Sequence, residues 1–193
     1  MDRSNVTSLS LLARLRVKDD EAWRRLVALY GPLVQHWCMR GGVRPEDVEE
    51  AVQETFLAAA SNLEQFEHHG PGSFRAWIRG IARHKVQDYF RKQQGRPAAL
   101  GGTEALERLQ DVPEPDAGSV EEGDEVRGLY RRALDLIRSE FEERTWLAFW
   151  YSAVEGRQTS VVAEQLGLSP VAVRIAKSRV LSRLRQEAGD LIE

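Results

Sequence analysis

Two stretches of this chain carry residue types that handle nucleic acid. From Ser73 to Pro97, seven cations stand against Asp88 alone, a net charge of +6, with Trp77, Tyr89 and Phe90 set among them. Cations beside an aromatic ring can follow a phosphate backbone while the ring stacks on an unpaired base. From Ser169 to Gln186 come Arg174, Lys177, Arg179, Arg183 and Arg185 with no acid, a net charge of +5. There Arg174, Ile175, Ser178 and Arg179 project from the first half of a helix, where Arg can pair with guanine edges and Ile can meet a thymine methyl. Lys177, Arg183 and Arg185 fit phosphate contacts, which position without reading sequence. The bland alternative is a solvated basic helix. A third set is acidic: Asp47, Glu50 and Glu54 in "PEDVEEAVQETF" share one helix face at three- and four-residue steps. No His joins them, so a basic partner protein or plain solvent fits that face better than a metal or acid–base site.

Catalysis finds no comparable set. His36, His68, His69 and His84 share no zinc-ligand spacing, and the chain has no glycine-rich phosphate loop or nucleophile motif. No catalytic residue, metal or cofactor is expected. The single Cys38 permits no internal disulfide and reads as a buried packing residue, which suits a reducing compartment.

The elements that must position these residues are helical. Trp23, Leu26, Val27, Tyr30, Leu33, Val34 and Trp37 recur at three- and four-residue steps, with a kink expected at Pro32 and closure at Gly41-Gly42. Pro45 opens a second helix burying Val48, Ala51, Val52, Thr55, Phe56 and Ala59, and Ser73 is placed as the N-cap of a third. On a wheel of that third helix, Phe74, Ile78, Ile81, Ala82, Val86 and Tyr89 suffice as a buried face. Trp77 falls to the other side, in line with His84 and Arg91, and two readings of it stand: a ring for an unpaired base, or a boundary Trp packed on a neighbouring helix. Further on, a helix is expected around Glu125 to Glu140. Then "TSVVAEQLGLSPVAVRIAKSRVLSRLRQE" reads as a helix-turn-helix, with Gly167 at the turn, Ser169 as N-cap and Pro170 at the first helical position. Between the halves, "GGTEALERLQDVPEPDAGSVEEGDE" has the composition of a mobile linker. The fold class is therefore all-α: two small helical domains, 1–97 and 125–193, joined by an acidic flexible linker over 98–124, the C-terminal domain a helix-turn-helix.

The net charge of −3 over 193 residues conceals these alternating blocks. No apolar run approaches the ~20 residues of a membrane span, and the charged N-terminus does not resemble a signal peptide, so a cytoplasmic protein is expected.

Taken in order, the motifs resemble the extracytoplasmic-function sigma factors of bacterial RNA polymerase, from about Leu9 to Glu187. "EEAVQETFLAA" is similar to that family's polymerase-binding helix, "GSFRAWIRGIARHKVQDYFRK" to its minus ten segment, and "VAEQLGLSPVAVRIAKSRVLSRLR" to its minus thirty-five helix-turn-helix. The resemblance implies a non-enzymatic initiation factor that directs core polymerase to promoters and assists melting. It implies partners in the β′ clamp and β subunit of core RNA polymerase, in promoter DNA and in an anti-sigma protein, with nucleoid association through the polymerase. Asp47, Glu50, Gln53, Glu54 and Phe56 would bind core polymerase. His68, His69, Trp77, Arg79, Arg83, His84 and Arg91 would meet the minus ten DNA; Arg174, Ile175, Lys177, Ser178, Arg179 and Arg183 would meet the minus thirty-five DNA. The sequence departs from the family at Arg174-Ile175-Ala176, where Lys-Ser-Arg is frequent, and at Ala76-Trp77, where principal sigma factors carry two Trp. The rival is a stand-alone helix-turn-helix regulator with an N-terminal dimerisation or sensing bundle; an enzyme acting on single strands is a distant third.

Overall fold

Short polar signals start the first helices. A computed structural model describes residues 10–93 and 120–192. The hydroxyl of Ser10 accepts from the Ala13 N–H at the start of α1 (Leu11–Arg16). The chain turns through Lys18, and the Asp19 carboxylate then accepts from the N–H groups of Glu21 and Ala22 to start α2 (Asp20–Arg40). Asp19 also takes a bond from Arg14 Nε at 2.9 Å, and that bond above all holds its carboxyl below the usual range.

Helix α2 runs unbroken through Pro32, which leaves the Ala28 carbonyl without its usual helical donor. Two glycines end it for different reasons. A Cβ on Gly41 would stand 2.8 Å from Val86, and Gly42 has φ +89°, so one position needs closeness and the other a left-handed backbone. Helix α3 (Val48–Asn62) begins three residues after Pro45 and passes into a 3₁₀ turn over Leu63–Gln65. Helix α4 (Ser73–Gln93) follows the loop at 66–72. Its expected cap is displaced: the Ala76 N–H bonds the Gly72 carbonyl, and Ser73 is the first helical residue, its hydroxyl buried and unpartnered among the described residues.

The second half starts earlier than its apolar spacing suggests, with α5 at Val120–Arg138. The expected linker lies outside the described residues up to 119, and 120–124 are helical. Helix α6 (Glu143–Phe149) continues as a π turn over Trp150–Val154. Helix α7 (Thr159–Leu166) ends on Gly167 in the left-handed conformation (φ 60°, ψ 42°). Arg144 reaches across from α6 to donate to the Leu166 and Gly167 carbonyls at 2.5–2.9 Å. Ser169 then caps α8 (Pro170–Leu184) by accepting from the Ala172 N–H at 3.1 Å, with Pro170 in the first turn. A π turn at Arg185–Gly189 leads into α9 (Asp190–Ile192). The described residues contain helices and turns and no strand, so the chain is all-α.

The large core crosses between the halves. Leu11, Leu26, Tyr30, Phe74 and Ile78 from the first half pack in one cluster with Leu129, Ile137, Trp146, Leu191 and Ile192 from the second. The Tyr30 hydroxyl donates to the Leu191 carbonyl inside it, and burial pushes the phenol well above its ordinary pKa. Helices α6, α7 and α8 share a smaller second core, built from Ala148, Val162, Ala163, Val173 and Ala176.

Candidate nucleic-acid and polymerase interfaces

The acidic helix α3 divides the residues expected on its docking face. Glu50 and Gln53 are exposed. Asp47 is a brace: it accepts from Tyr89 Oη at 2.8 Å and pairs with Arg44 at 2.7 Å, tying the start of α3 to the end of α4. Those two bonds, Tyr89 first, hold its carboxyl below the usual range. Glu54 receives Lys92 Nζ at 2.9 Å and stands 3.8 Å from Lys85. Phe56 is 8% exposed and belongs to the core, in line with the apolar spacing; its neighbour Leu57 is 61% exposed and takes the outward position. One residue is a 100° turn of a helix, which is why adjacent apolar residues exchange roles so readily. Leu57 lies four residues beyond Gln53 and lines a groove of about 720 Å³ with Trp23, Val27 and Val52, rimmed by Glu49 and Glu64. Val27, expected with the apolar face of its helix, opens into this groove at 43% exposed.

On α4, Trp77 is half-buried. Its ring lies 5.1 Å from Phe66 and 5.4 Å from Phe74, centroid to centroid, and its indole N–H is buried with no partner among the described residues. Packing on the Phe66 loop segment thus accounts for one side of the ring, while His84 and Arg91 continue its stripe at seven-residue intervals. His84 is half-buried, and burial, followed by the nearby Arg91, Arg83 and Lys85 against Asp88, lowers its pKa below 6.5. His68 and His69 are exposed on the preceding loop.

The cations of α4 are mostly matched by carboxylates. Arg75 pairs with Glu122 and lies 3.9 Å from Glu125, both on α5. Arg79 sits 4.0 Å from Glu125 and over the Trp37 ring, whose Nε1 donates to Glu125 at 2.7 Å. Lys85 and Lys92 face Glu54, and Arg91 pairs with Asp88. Among the described residues, Arg83 is exposed with no such carboxylate.

Helix α8 is different. Arg174, Ile175, Ser178 and Arg179 are exposed on its first three turns, Lys177 is half-exposed, and the three cations have no ion pair among the described residues. Arg183 departs from this set. Its guanidinium binds Glu140 through two bonds, at 2.6 and 2.8 Å, and stands 2.7 Å from Glu187. Arg25 of α2 joins from the other half, 2.8 Å from Glu187 and 3.2 Å from Glu140. Glu187 is 1% exposed, so the four form a largely enclosed ion cluster between the halves. An enclosed guanidinium held by two carboxylates is not presented to phosphate, unlike the reading of Arg183 from composition. No group of three or more potential metal ligands occurs among the described residues, and no described helix is long and apolar enough to cross a membrane.

The Sigma-70 region 2 family model matches residues 26–96, the segment that contains α3 and α4. The ECF RNA polymerase sigma factor ShbA of Streptomyces griseus is 31% identical over 183 residues, covering 91% of this chain and 92% of that protein. The chain belongs to the extracytoplasmic-function RNA polymerase sigma factors. The sigma-factor relative RfaY of Xanthomonas campestris is 34% identical over 140 residues, 72% of this chain, which spans about a third (33%) of that relative's length. A solved structure of CnrH in complex with the cytosolic domain of CnrY is 26% identical and covers 90% of this sigma factor and 92% of that chain, with a TM-score of 0.38.

Proposed function

We propose that this sigma factor recruits core RNA polymerase to promoters through three separate surfaces and makes no covalent change itself. The observation that carries the reading is the match of α3 and α4 to region 2, joined in one chain to a capped helix-turn-helix with free cations. Glu50, Gln53 and Glu54, with Leu57 as the apolar anchor, form the face for a basic element of the polymerase β′ clamp. Charge there steers the encounter and a buried aliphatic side chain supplies affinity. Asp47 and Phe56 act behind that face, as brace and core. Trp77, Arg79, Arg83, His84 and Arg91, with the His68-His69 loop, meet the opening minus ten DNA. Arg174, Ile175, Lys177, Ser178 and Arg179 read the minus thirty-five duplex, and the protein works in the cytoplasm.

Two elements centred about 25 base pairs apart span on the order of 80 Å of duplex. A folded chain of this size has a radius of gyration of about 16 Å. The inter-half contacts through Tyr30, Arg25 and Glu187 therefore give way when both elements are read. An anti-sigma protein is the further partner that the family resemblance implies.

The test is transcription by core polymerase, with and without this chain, on a library of promoter sequences. Enrichment of two blocks at a fixed separation is expected. Glu54→Lys, which sets a third cation beside Lys85 and Lys92, is expected to cut retention on core enzyme by at least about a hundredfold, because like charges across an interface cost several kcal/mol. Full retention would refute the docking face. A chain that ignores core enzyme and binds a palindromic duplex would be the stand-alone regulator.

A further inference from the structure

The outward face of α8 is apolar along its centre and cationic along its edges. At 100° per residue, Val171, Ile175, Ser178 and Ser182 fall within about 40° of one line, with Arg174 about 60° to one side and Arg179 about 80° to the other. Val171 is 54% exposed and Ile175 49%. They are two β-branched aliphatic side chains left in water four residues apart on one line of the helix, beside its capped start. Neither belongs to either apolar cluster of the fold, whose inward positions on this helix are Val173, Ala176, Val180 and Leu184.

What covers them is constrained by charge. Arg174 and Arg179 flank the strip, with Lys177 beside them, and none has an ion pair among the described residues. A surface with cations on both edges and no acid between Ser169 and Gln186 fits a polyanion whose interior is apolar at its accessible edge. The major groove of duplex DNA has that form: phosphate walls, and thymine C5-methyl groups on its floor.

Building on the upstream-element function above, we propose that Val171 and Ile175 together form a methyl-reading strip that selects thymines at two positions of the upstream element. Four residues of helix advance about 6 Å, close to two base-pair rises of about 3.4 Å each, so the two side chains address methyls one to two pairs apart. Ser178 continues the line toward the next pair as a hydroxyl that bonds either base. Val171 was not among the residues that the sequence pointed to. Its exposure distinguishes it from Val173, two residues on, which is fully buried.

The experiment uses the full chain bound to core polymerase and promoter duplexes with a randomised upstream block. The enriched block is then synthesised twice, with thymine and with deoxyuridine, which removes only the methyl. Burial of one methyl contributes about fourfold to affinity, so the thymine duplex is expected to compete about fourfold better for each methyl contacted. Val171→Ala should abolish the preference at one position and Ile175→Ala at a position one or two pairs away. Arg174→Ala should change base preference beside the strip and leave the thymine-to-uracil ratio unaltered. Equal competition by thymine and deoxyuridine duplexes, or a preference that survives both alanine variants, would overturn the strip while leaving the upstream reading in place. Weakened retention of Val171→Ala and Ile175→Ala on core enzyme without DNA would overturn it too, in favour of a protein-covered face. Failure of the wild-type holoenzyme to enrich any upstream block would remove both proposals.

Discussion

Helices α4 and α8 are both strongly basic, yet they hold their charge in opposite ways. On α4, Arg75 and Arg79 face Glu122 and Glu125 of α5, Lys85 and Lys92 face Glu54 of α3, and Arg91 faces Asp88. On the first turns of α8, Arg174, Lys177 and Arg179 have no carboxylate at ion-pair distance among the described residues. A count of charges alone makes the helices equivalent; the distribution of neighbouring carboxylates does not. In the packed chain the cations of α4 are largely matched by carboxylates, whereas those on the first turns of α8 are not; on the proposed function, single-strand binding by the free chain is therefore expected to be weak. Arg183 shows that the contrast is one of surroundings and not of helix identity, since it lies on α8 and is as fully paired as Arg75.

The largest expected effect comes from breaking the enclosed pairing. Glu187→Ala leaves Arg25 and Arg183 sharing only Glu140, and removing one partner of a buried ion pair typically costs about 3–5 kcal/mol. Urea unfolding of the variant is expected to show that loss. A change under about 1 kcal/mol would mean that the cluster is as dispensable as a surface pair.

Arg174→Ala tests the free side of the contrast. With no internal partner to release, its stability should be unchanged, and discrimination at one or two base pairs of the upstream element should fall by about 1–3 kcal/mol. Competition binding by the holoenzyme measures it.

Changing Glu122 and Glu125 together to Gln sharpens the contrast from the other direction. Gln at 125 still accepts the Trp37 indole N–H while the charge opposite Arg75 and Arg79 disappears. Binding of the polymerase-free chain to a single-stranded oligonucleotide should rise by up to about tenfold, with a steeper salt dependence, as two cations become free for phosphates. Unaltered binding at low salt would show that these carboxylates do not shield α4.

The smallest effect concerns pH. Burial depresses His84 below 6.5, so its neutral form contributes stability that is present above about 6.5 and is lost as pH falls. Thermal unfolding between pH 7.5 and 5.5 should show a slight decline that His84→Gln reduces.

Much of this was legible locally. Gly167, Leu168, Ser169 and Pro170 announce a turn and a cap within four residues, and the structure has the left-handed glycine and the capping hydroxyl at those positions. The buried face of α4 follows from spacing over its first half, with Phe74, Ile78, Ile81 and Ala82 all inside, while Val86 and Tyr89, expected with them, are half-buried. What periodicity could not supply is pairing across long separations. Nothing in "VEEGDEVRG" indicates that its carboxylates meet Arg75, and nothing in "LRQEAG" indicates that Glu187 is enclosed against Arg25. Trp77 illustrates the same limit: its ring partner Phe66 lies outside the helix, so a wheel drawn on α4 alone leaves one side of the indole bare. Phe56 and Leu57 differ by one position: spacing places Phe56 inside, where the structure has it, while the family resemblance alone sets it on the docking face.

The halves are packed together in the free chain and, on the proposed function, part on the promoter. Cysteines placed at exposed Gln87 on α4 and exposed Glu164 on α7 can carry a fluorescent pair. The native Cys38 will not compete for label, since it is buried and its thiol is pushed up to about 11 by burial. In the free chain a separation no greater than about 40 Å is expected, consistent with a compact fold of this length. On core polymerase with promoter DNA it should lengthen toward the ~80 Å between the two elements. A separation unchanged between the free chain and the promoter complex would show that the halves stay together on DNA.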